Sequence, residues 1–491
     1  MAAGILSFGA YLPQSRLQRS SIAAAHSWFD PSLRGLAKGE RSMGSWDEDS
    51  NTMAVEAARA CLAGRDSAAV DALYLGSSSF PFLDRQNGAL VGEAVGLARG
   101  LQTFDLAASQ KAGTSALLAA FKGAAAGEQG LVIGSDKRRT KAASTAEMNY
   151  GDGAAALLVG EGDPGQDIAA ELLACHSLSV DFVDHFRTEE SEFDYQWEAR
   201  WIRDEGLMKL VPEAVNTLLK DSGVEAGAID HFCCPFGSLR EQQSLVKKLG
   251  VRGEALRDTL QANCGNTGAA HALLMLVGAL EAAGPGELIM VVGFGQGCDV
   301  LLFRATEALA GLAARDGLEA ALANRREEDN YFKFLAFNGL IDMDHGLRAE
   351  TDKNTGLSTA YRNRQLTTSF AGGKCRECGT VQIPAAPICV NADCAGVETQ
   401  DPHPFADAAA FLKSYTADRL TYSMNPPAYY GMVQFNEGGR IMLDFTDVLP
   451  EQGLEVGMPM RMAFRVKDYD HKRGFRRYYW KAVPVYKADG E

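Results

Sequence analysis

Short apolar runs that end in glycine alternate with alanine-rich runs along the first 310 or so residues. The apolar runs at 71–76 and 131–135 have the composition of buried strands, and the alanine-rich runs have that of helices. Such alternation predicts an α/β fold with parallel sheets covered by helices. Two similar runs, 154–160 and 300–303, end the successive segments 1–165 and 166–310, so the pattern also indicates a weak internal duplication.

The pattern changes after residue 310. Residues 311–370 begin as a helical stretch and become charged and irregular, which predicts a helical linker. Residues 371–400 hold four grouped cysteines, and 401–491 hold short strand-like runs separated by turn sequences at 425–427 and 436–440. A small β-barrel is the fold that this last segment predicts.

Composition narrows the function classes. The chain has 491 residues, 46% of them hydrophobic and 23% charged, and a formal net charge of −15. This charge argues against nucleic acid or an anionic membrane as a partner, because both are bound through accumulated Lys and Arg. Residues 1–8 lack the basic and apolar regions of a signal peptide, and no apolar run approaches the ~20 residues of a membrane span, so we expect a cytoplasmic protein.

The grouped cysteines form the most specific motif. Cys375-x2-Cys378 and Cys389-x4-Cys394 provide four thiolates in two closely spaced pairs, and Gly379 suits the tight turn after the first pair. This spacing predicts one tetrahedral Zn²⁺ with a structural role, because all four positions are taken by protein ligands. The other six cysteines are scattered through apolar segments and are expected to be reduced core residues.

Segment 104–117 has the frame of a nucleophile turn but no nucleophile. Its Ser109-Gln110-Lys111-Ala112-Gly113-Thr114 resembles the turn of thiolase-fold condensing enzymes such as ketoacyl-ACP synthases and hydroxymethylglutaryl-CoA synthase, with Gln110 in place of the cysteine. Because an amide side chain does not ionise, acyl-thioester formation at this position is excluded.

Four further segments carry the same resemblance. Residues 149–156, 265–270 and 293–297 are similar to the family's Gly-Asp-Gly-Ala, Gly-Asn-Thr and late glycine-rich motifs, and 235–240 aligns with its His-Gln-Ala-Asn-Leu-Arg. In that last segment the histidine has become Pro235, so only Asn266 remains of the family's Cys-His-Asn triad. The resemblance implies a five-layer α-β-α-β-α core, a homodimer, and coenzyme A as part of the substrate.

The C-terminal segments resemble a second family, the acyl-CoA-associated zinc-ribbon/OB-fold proteins that accompany thiolase-like enzymes. By this resemblance the domain helps to hold coenzyme A and could meet thiolase-pathway partner enzymes. The cofactor-binding candidates are Arg476 and Arg477 of the basic, aromatic run 471–481, together with Lys137 and Arg138. A solvated strand or a docking edge is the alternative interpretation of that run.

Without a nucleophile, the site could still stabilise the enolate of a thioester. We expect backbone N–H groups at Gln110 and near Gly295 to form an oxyanion hole, since these persist whatever the side chains are. Aldol or retro-aldol cleavage of a β-hydroxyacyl-CoA needs such a hole and a base. The candidate base is His271, followed by Tyr150, His185 and His231. The polar, aromatic segment 181–201 resembles an insertion that borders the substrate entrance, although a helical flap fits it equally well.

Several alternatives stay open. Without Cys and His, the chain could be a non-catalytic subunit that binds CoA thioesters or scaffolds a thiolase or synthase complex. A Claisen-type acyltransferase similar to hydroxymethylglutaryl-CoA synthase is a further alternative. Decarboxylation ranks lower because glutamine variants with that activity keep their histidines, and Cys264 ranks low as a displaced nucleophile because no histidine pairs with it.

Overall fold

A computed structural model describes residues 2–235, 237–312, 316–354 and 356–486. Phe236, within the segment that carries Pro235, lies outside the described residues. The chain divides into two compact units. The first contains most of the chain up to residue 338, and the second contains 46–48, 93–96 and the chain from 339 onward.

The first unit is built around a nine-stranded sheet. The strands of this unit are β1 (Ala2–Tyr11), β2 (Ser15–Gln18), β3 (Glu40–Ser42), β4 (Ala72–Gly76), β5 (Gln102–Leu106), β6 (Gly130–Asp136), β7 (Gly153–Gly162), β8 (Ala170–Ser179), β9 (His185–Phe186), β10 (Tyr195–Gln196), β11 (His231–Cys233), β12 (Leu288–Phe294), β13 (Gly297–Ala305) and β14 (Arg326–Glu328). The order in the nine-stranded sheet is β11-β12-β13-β8-β1-β7-β6-β4-β5. The apolar runs at 71–76, 131–135, 154–160 and 300–303 coincide with β4, β6, β7 and β13, so these strand predictions are confirmed.

The predicted duplication is visible in the strand directions. Strands β5, β4 and β6 pair in parallel and are followed by antiparallel β7 and β1. Strands β11 and β12 pair in parallel and are followed by antiparallel β13 and β8. The two halves meet at β1 and β8 through only two residue pairs, Gly4 with Glu171 and Ile5 with Ala170.

Helices pack on this sheet, on the smaller sheet β14-β2-β3 and on one another. They are α1 (Arg19–His26), α2 (Ser50–Leu62), α3 (Asn87–Ala94), α4 (Ala112–Ala124), α5 (Thr145–Asn149), α6 (Ala199–Trp201), α7 (Val211–Ser222), α8 (Leu239–Leu249), α9 (His271–Ala282), α10 (Leu318–Ala323) and α11 (Tyr331–Phe337), with a π-helical segment, Ile202–Leu210, between α6 and α7. Helices α4 and α9 are rich in alanine and leucine, and most of their side chains are buried. A helix that is apolar on nearly all faces belongs in the interior, as these two do.

Close backbone contact fixes the start of α4. A Cβ added to Gly113 would lie 2.1 Å from the carbonyl oxygen of Ala269, just before α9. Real Cβ atoms do not approach an oxygen so closely, so the two chain segments can meet here only through glycine. This contact places the first turn of α4 against the segment that carries Asn266.

The second unit contains a cysteine-bearing ribbon and an antiparallel barrel. Its elements are α12 (Leu357–Arg362), α13 (Arg364–Thr367), β15 (Ala371–Cys375), β16 (Val381–Gln382), β17 (Gln400–Pro404), β18 (Ala410–Asp418), β19 (Ala428–Phe435), β20 (Arg440–Asp444), β21 (Pro459–Asp470) and β22 (Phe475–Pro484). The barrel order is β20-β19-β18-β21-β22, and a bridge between Phe445 and Ala482 joins its two ends. The predicted small β-barrel is therefore confirmed.

Within the described residues, no helix combines the length and the apolar character that crossing a bilayer requires.

The Gly113 contact can be tested by substitution. We expect Gly113→Ala to lower the thermal unfolding midpoint by about 3 °C or more, because the steric cost of overpacking exceeds the ~1 kcal/mol that alanine gains in a helix. Differential scanning calorimetry measures the change. Gly253→Ala is the matched control, since an added Cβ there meets nothing within 4 Å. Equal midpoints for Gly113→Ala and the wild type would contradict the contact.

Candidate functional site

The turn before α4 is held against the late glycine-rich loop. Ser109 Oγ donates a hydrogen bond to the carbonyl oxygen of Gly295 at 2.8 Å and accepts one from the N–H of Lys111 at 3.2 Å. Lys111 Nζ in turn lies 2.9 Å from the buried carboxylate of Asp299 on β13. The turn that carries Gln110 is thus fixed from both sides.

The N–H of Gln110 is available to a ligand. Among the described residues, none accepts a hydrogen bond from it, and it stands beside the first turn of the 13-residue helix α4. The positive end of the helix dipole favours negative charge at this place. Gly295 allows the loop to approach, because its Cβ would lie 3.1 Å from Gln110 N. The N–H of Gly295 itself donates to the carbonyl oxygen of Gly297 at 3.1 Å, so Gly295 acts here by its small size.

A histidine from the segment between the two halves faces Gln110. His185 Nε2 lies 3.2 Å from Gln110 Nε2, and His185 Nδ1 lies 2.9 Å from Asp184 Oδ1. Because the carboxylate can only accept, the Nδ1–H donates to Asp184, and the Nε2 lone pair accepts from the Gln110 amide. The imidazole therefore directs its accepting nitrogen toward the side chain of Gln110.

Asn266 keeps one side-chain group for a ligand. Its Oδ1 accepts hydrogen bonds from the N–H of Gly268 at 2.8 Å and from Arg138 Nη2 at 3.3 Å. Its backbone pairs with Tyr150 through a short parallel bridge. No described residue accepts from Asn266 Nδ2, so this N–H₂ group can donate to a ligand.

The hairpin of β9 and β10 connects His185 to the surroundings of Asn266. His185 pairs with Gln196 across the hairpin, and Gln196 Nε2 donates to the hydroxyl of Tyr150 at 2.8 Å. The guanidinium of Arg138 lies 3.5 Å from the centre of the Tyr150 ring. Sequence reasoning did not single out Asp184 or Gln196 for a role, although the Asp184-His185 pair in a polar, aromatic segment was a visible signal.

The first-ranked base candidate, His271, lies in the core. Its Nδ1 accepts from the N–H of Thr267 at 3.1 Å, so its Nε2–H donates to the carbonyl oxygen of Thr259 at 2.9 Å. Burial lowers the pKa of His271 to about 4. Both ring nitrogens are occupied by backbone groups, and this placement favours His185 over His271 as a base.

The remaining base and nucleophile candidates are also engaged elsewhere. His231 is buried between Glu287, 2.8 Å from its Nε2, and Arg257, whose Nε lies 2.7 Å from its Nδ1. Tyr150 is buried, and burial raises its pKa. Burial also raises the pKa of Cys264 to about 12, so this thiol is an inert one.

The basic candidates have protein partners. Lys137 Nζ donates to the carbonyl oxygen of Ser45 at 2.7 Å, and Arg138 is buried beside Tyr150 as described. On the barrel, Arg477 forms an ion pair with Asp468, and Arg476 lies over the ring of Tyr469 at 5.7 Å. Their role toward coenzyme A remains a prediction.

The four grouped cysteines come together in the second unit. The ligand atoms of Cys375, Cys378, Cys389 and Cys394 all lie within 4.8 Å of one another. Cys375 Sγ is 3.8 Å from Cys394 Sγ, and Cys378 Sγ is 3.6 Å from Cys389 Sγ. A tetrahedral zinc with Zn–S bonds of ~2.3 Å separates its sulfur atoms by about 3.8 Å. The cluster therefore fits one zinc ion.

Known proteins share segments of this sequence and its fold. A family model described as the C-terminal part of 3-oxoacyl-[acyl-carrier-protein] synthase III matches residues 219–301, and one described as the C-terminal OB-fold domain of ChsH2 matches residues 409–465. Among solved structures, MvaS in complex with 3-hydroxy-3-methylglutaryl coenzyme A is 20% identical with a TM-score of 0.59, covering 68% of this chain and 91% of that one. The 3-oxoacyl-(acyl carrier protein) synthase III of Pseudomonas aeruginosa is 24% identical with a TM-score of 0.56, covering 62% and 99%.

These likenesses show a thiolase-like fold with an added OB-type domain. Relatives found by sequence identify the family within this fold. The hydroxymethylglutaryl-CoA synthase of Aeropyrum pernix is 30% identical over 356 residues, which are 71% of this chain and 94% of that protein. That of Archaeoglobus fulgidus is 29% identical over 316 residues, or 62% and 90%. The chain belongs to the hydroxymethylglutaryl-CoA synthase family, and the predicted resemblance is confirmed.

The buried state of His271 has a pH consequence. The unfolded chain takes up a proton at this residue near pH 6.5, whereas the folded protein does so only near pH 4. Stability is therefore lost as the pH falls through this window, by about 2 kcal/mol from His271 at pH 5.

Urea unfolding of the wild type and of His271→Asn, at pH 7 and at pH 5, tests whether His271 causes this loss of stability. The variant should lose about 2 kcal/mol less than the wild type between the two pH values, whatever its stability at pH 7. Equal losses would show that His271 does not titrate as its burial requires.

Proposed function

We propose that the protein cleaves or forms a C–C bond next to a CoA thioester without a covalent intermediate, most simply as an aldol or retro-aldol enzyme for β-hydroxyacyl-CoA. The observation that carries this proposal is the position of His185 Nε2, 3.2 Å from the side-chain amide of Gln110. A base now faces the site where the related enzymes have a nucleophile. The family relationship supports coenzyme A as part of the substrate.

The reaction follows from the groups in the site. His185 Nε2 takes the proton of the β-hydroxyl, the Cα–Cβ bond breaks, and its electron pair moves into the thioester carbonyl. The Cβ fragment leaves as an aldehyde or ketone. The enolate oxygen is stabilised by the N–H of Gln110 at the start of α4 and by the Asn266 amide, and Cα then takes the proton back from the imidazolium. One donor of this kind contributes roughly 10²–10³-fold to a rate.

Asp184 is a positioning residue in this scheme. Its hydrogen bond to Nδ1 holds the imidazole in the tautomer whose lone pair is on Nε2, and it stabilises the imidazolium that forms when the substrate hydroxyl replaces the Gln110 amide as the partner of Nε2. Because Asp184 and His185 are adjacent on the β9 side of the hairpin, the segment between the two halves supplies the whole pair.

A second candidate is a non-catalytic subunit that binds CoA thioesters or scaffolds an active synthase. The replacement of the family's cysteine and histidine by Gln110 and Pro235 favours it. The same replacement weighs against a Claisen-type acyltransferase, which needs the covalent step. We also propose a homodimer, for which the open edge of β5 with its exposed Phe104 provides a pairing surface.

The zinc site is proposed as structural. Cys375, Cys378, Cys389 and Cys394 would hold the ion as four thiolates, and its binding free energy would order a ribbon of three short strands that has little core of its own. With every coordination position filled by protein, the ion contributes stability and no step of the reaction.

The retro-aldol proposal is tested by turnover of a panel of β-hydroxyacyl-CoA thioesters, with the aldehyde or ketone and the shorter acyl-CoA measured together. We expect His185→Gln to lower kcat by about 10²–10⁴-fold, since a general base is removed. Asp184→Asn should lower it less. His403→Gln, in the second unit, serves as the control and should match the wild type. Binding of CoA without turnover of any thioester would overturn the enzyme and favour the scaffold.

Zinc binding is tested by elemental analysis of the purified protein. One zinc per chain is expected, and Cys389→Ser should abolish it and lower the unfolding temperature of the second unit, because three thiolates no longer close the tetrahedron. Cys175→Ser removes an exposed cysteine outside the cluster and should leave the zinc content at one. Metal-free wild-type protein with an unchanged unfolding profile would contradict the site.

A further inference from the structure

An aromatic pocket opens beside the candidate base. Its cavity of about 270 Å³ is lined by Val183, His185, Phe186, Tyr195, Trp197 and Trp201. At roughly 30 Å³ for each water-sized group, it has room for about nine such groups. Apart from the imidazole, the tyrosine hydroxyl and the indole N–H groups, the lining is apolar. His185 belongs both to this lining and to the candidate site.

The pocket wall is preformed. Trp201 stacks on the buried ring of Phe182 at 4.2 Å, and Phe182 packs edge-on against Phe294 at 5.9 Å, next to the Gly295 loop. Gly206 makes space for this stack, because a Cβ there would lie 2.8 Å from the Phe294 ring. On the other side Phe186 and Tyr195 contact each other at 5.3 Å. The aromatic rings are therefore held by the protein core and by one another.

Several of these rings are nonetheless left in contact with solvent. Tyr195 and Trp197 are each 54% exposed, and Phe186 is 47% exposed. A concave, apolar surface with a few placed polar groups is typical of a small-molecule site. Because His185 both lines this pocket and contacts Gln110, the group that fits here is the part of a substrate attached to the reacting carbon.

We infer that this pocket binds the acyl group of the substrate and selects a bulky, uncharged, apolar acyl group over one that carries a carboxylate. The inference rests on the proposed function and adds the substrate class. Among the residues that the structure describes, no lysine or arginine lines the cavity. Two arginines adjoin lining residues in sequence. Arg187, after Phe186, directs its guanidinium to Asp194 and to the carbonyl oxygen of Ser78, and Arg200, before Trp201, is not among the lining residues. A dicarboxylic acyl chain would thus place its carboxylate against apolar rings without a cationic partner.

Isothermal titration calorimetry with unreactive thioesters tests this inference. The ligands are CoA, glutaryl-CoA and 3-phenylpropionyl-CoA, which share the CoA part and differ in the end of the acyl group. We expect the phenyl thioester to bind at least tenfold more tightly than glutaryl-CoA, since each buried methylene contributes about fourfold.

Two variants test whether the preference for the phenyl thioester depends on Trp197 in this pocket. Trp197→Ala should lose most of the gain for the phenyl thioester while CoA binds as before, and Trp197→Arg should shift the preference toward glutaryl-CoA. Trp28→Ala removes a tryptophan that is 82% exposed and does not line the pocket, so it should behave as the wild type. Unchanged CoA affinity shows that each variant is folded.

The outcomes separate the two proposals. Equal affinity of the wild type for both thioesters, or a phenyl preference that Trp197→Ala leaves intact, would overturn the acyl pocket while CoA binding stands. If neither CoA nor any thioester binds, the proposed function itself fails.

Discussion

The hydrogen bond between the Gln110 amide and the His185 imidazole is the contact around which the candidate site is organised. An amide N–H can donate only to a nitrogen that carries a lone pair, so the bond is compatible with one tautomer of the ring. Asp184 selects the same tautomer from the other side. The arrangement holds the imidazole with its accepting nitrogen beside the N-terminus of α4, where negative charge on a ligand is also favoured.

This arrangement explains how the family fold can lose its nucleophile and keep a usable site. Cysteine supplies covalent attack through its side chain, whereas the N–H of Gln110 and the dipole of α4 belong to the backbone and persist after substitution. The close approaches at Gly113 and Gly295 preserve the backbone geometry, because each lies where a Cβ would collide. By the resemblance of segment 235–240, Pro235 stands where the family has its catalytic histidine, and in the proposed site a histidine from the hairpin segment serves instead.

Much of the fold could be predicted from the sequence, because strands such as β4 and β6 are continuous apolar runs and the four cysteines are close along the chain. The candidate site was harder to predict. Gln110 and His185 are 75 positions apart and meet only through the tertiary path of the hairpin. Sequence also could not separate His185 from His271, which stands nearer to Asn266 along the chain but is bonded to the backbone on both sides of its ring. The aromatic residues of 181–201 were visible as a composition, yet their assembly into one cavity depends on the stacking of Trp201 on Phe182.

The central claim is that the site stabilises a thioester enolate without acylating the protein. Deuterium exchange at Cα of a simple acyl-CoA, incubated with the protein in heavy water and followed by mass spectrometry of both ligand and intact protein, tests it most directly. The account predicts exchange that depends on His185, with the mass of the protein unchanged. An acyl adduct on the protein, or an acyl-CoA that binds and exchanges no faster than in buffer, would contradict it.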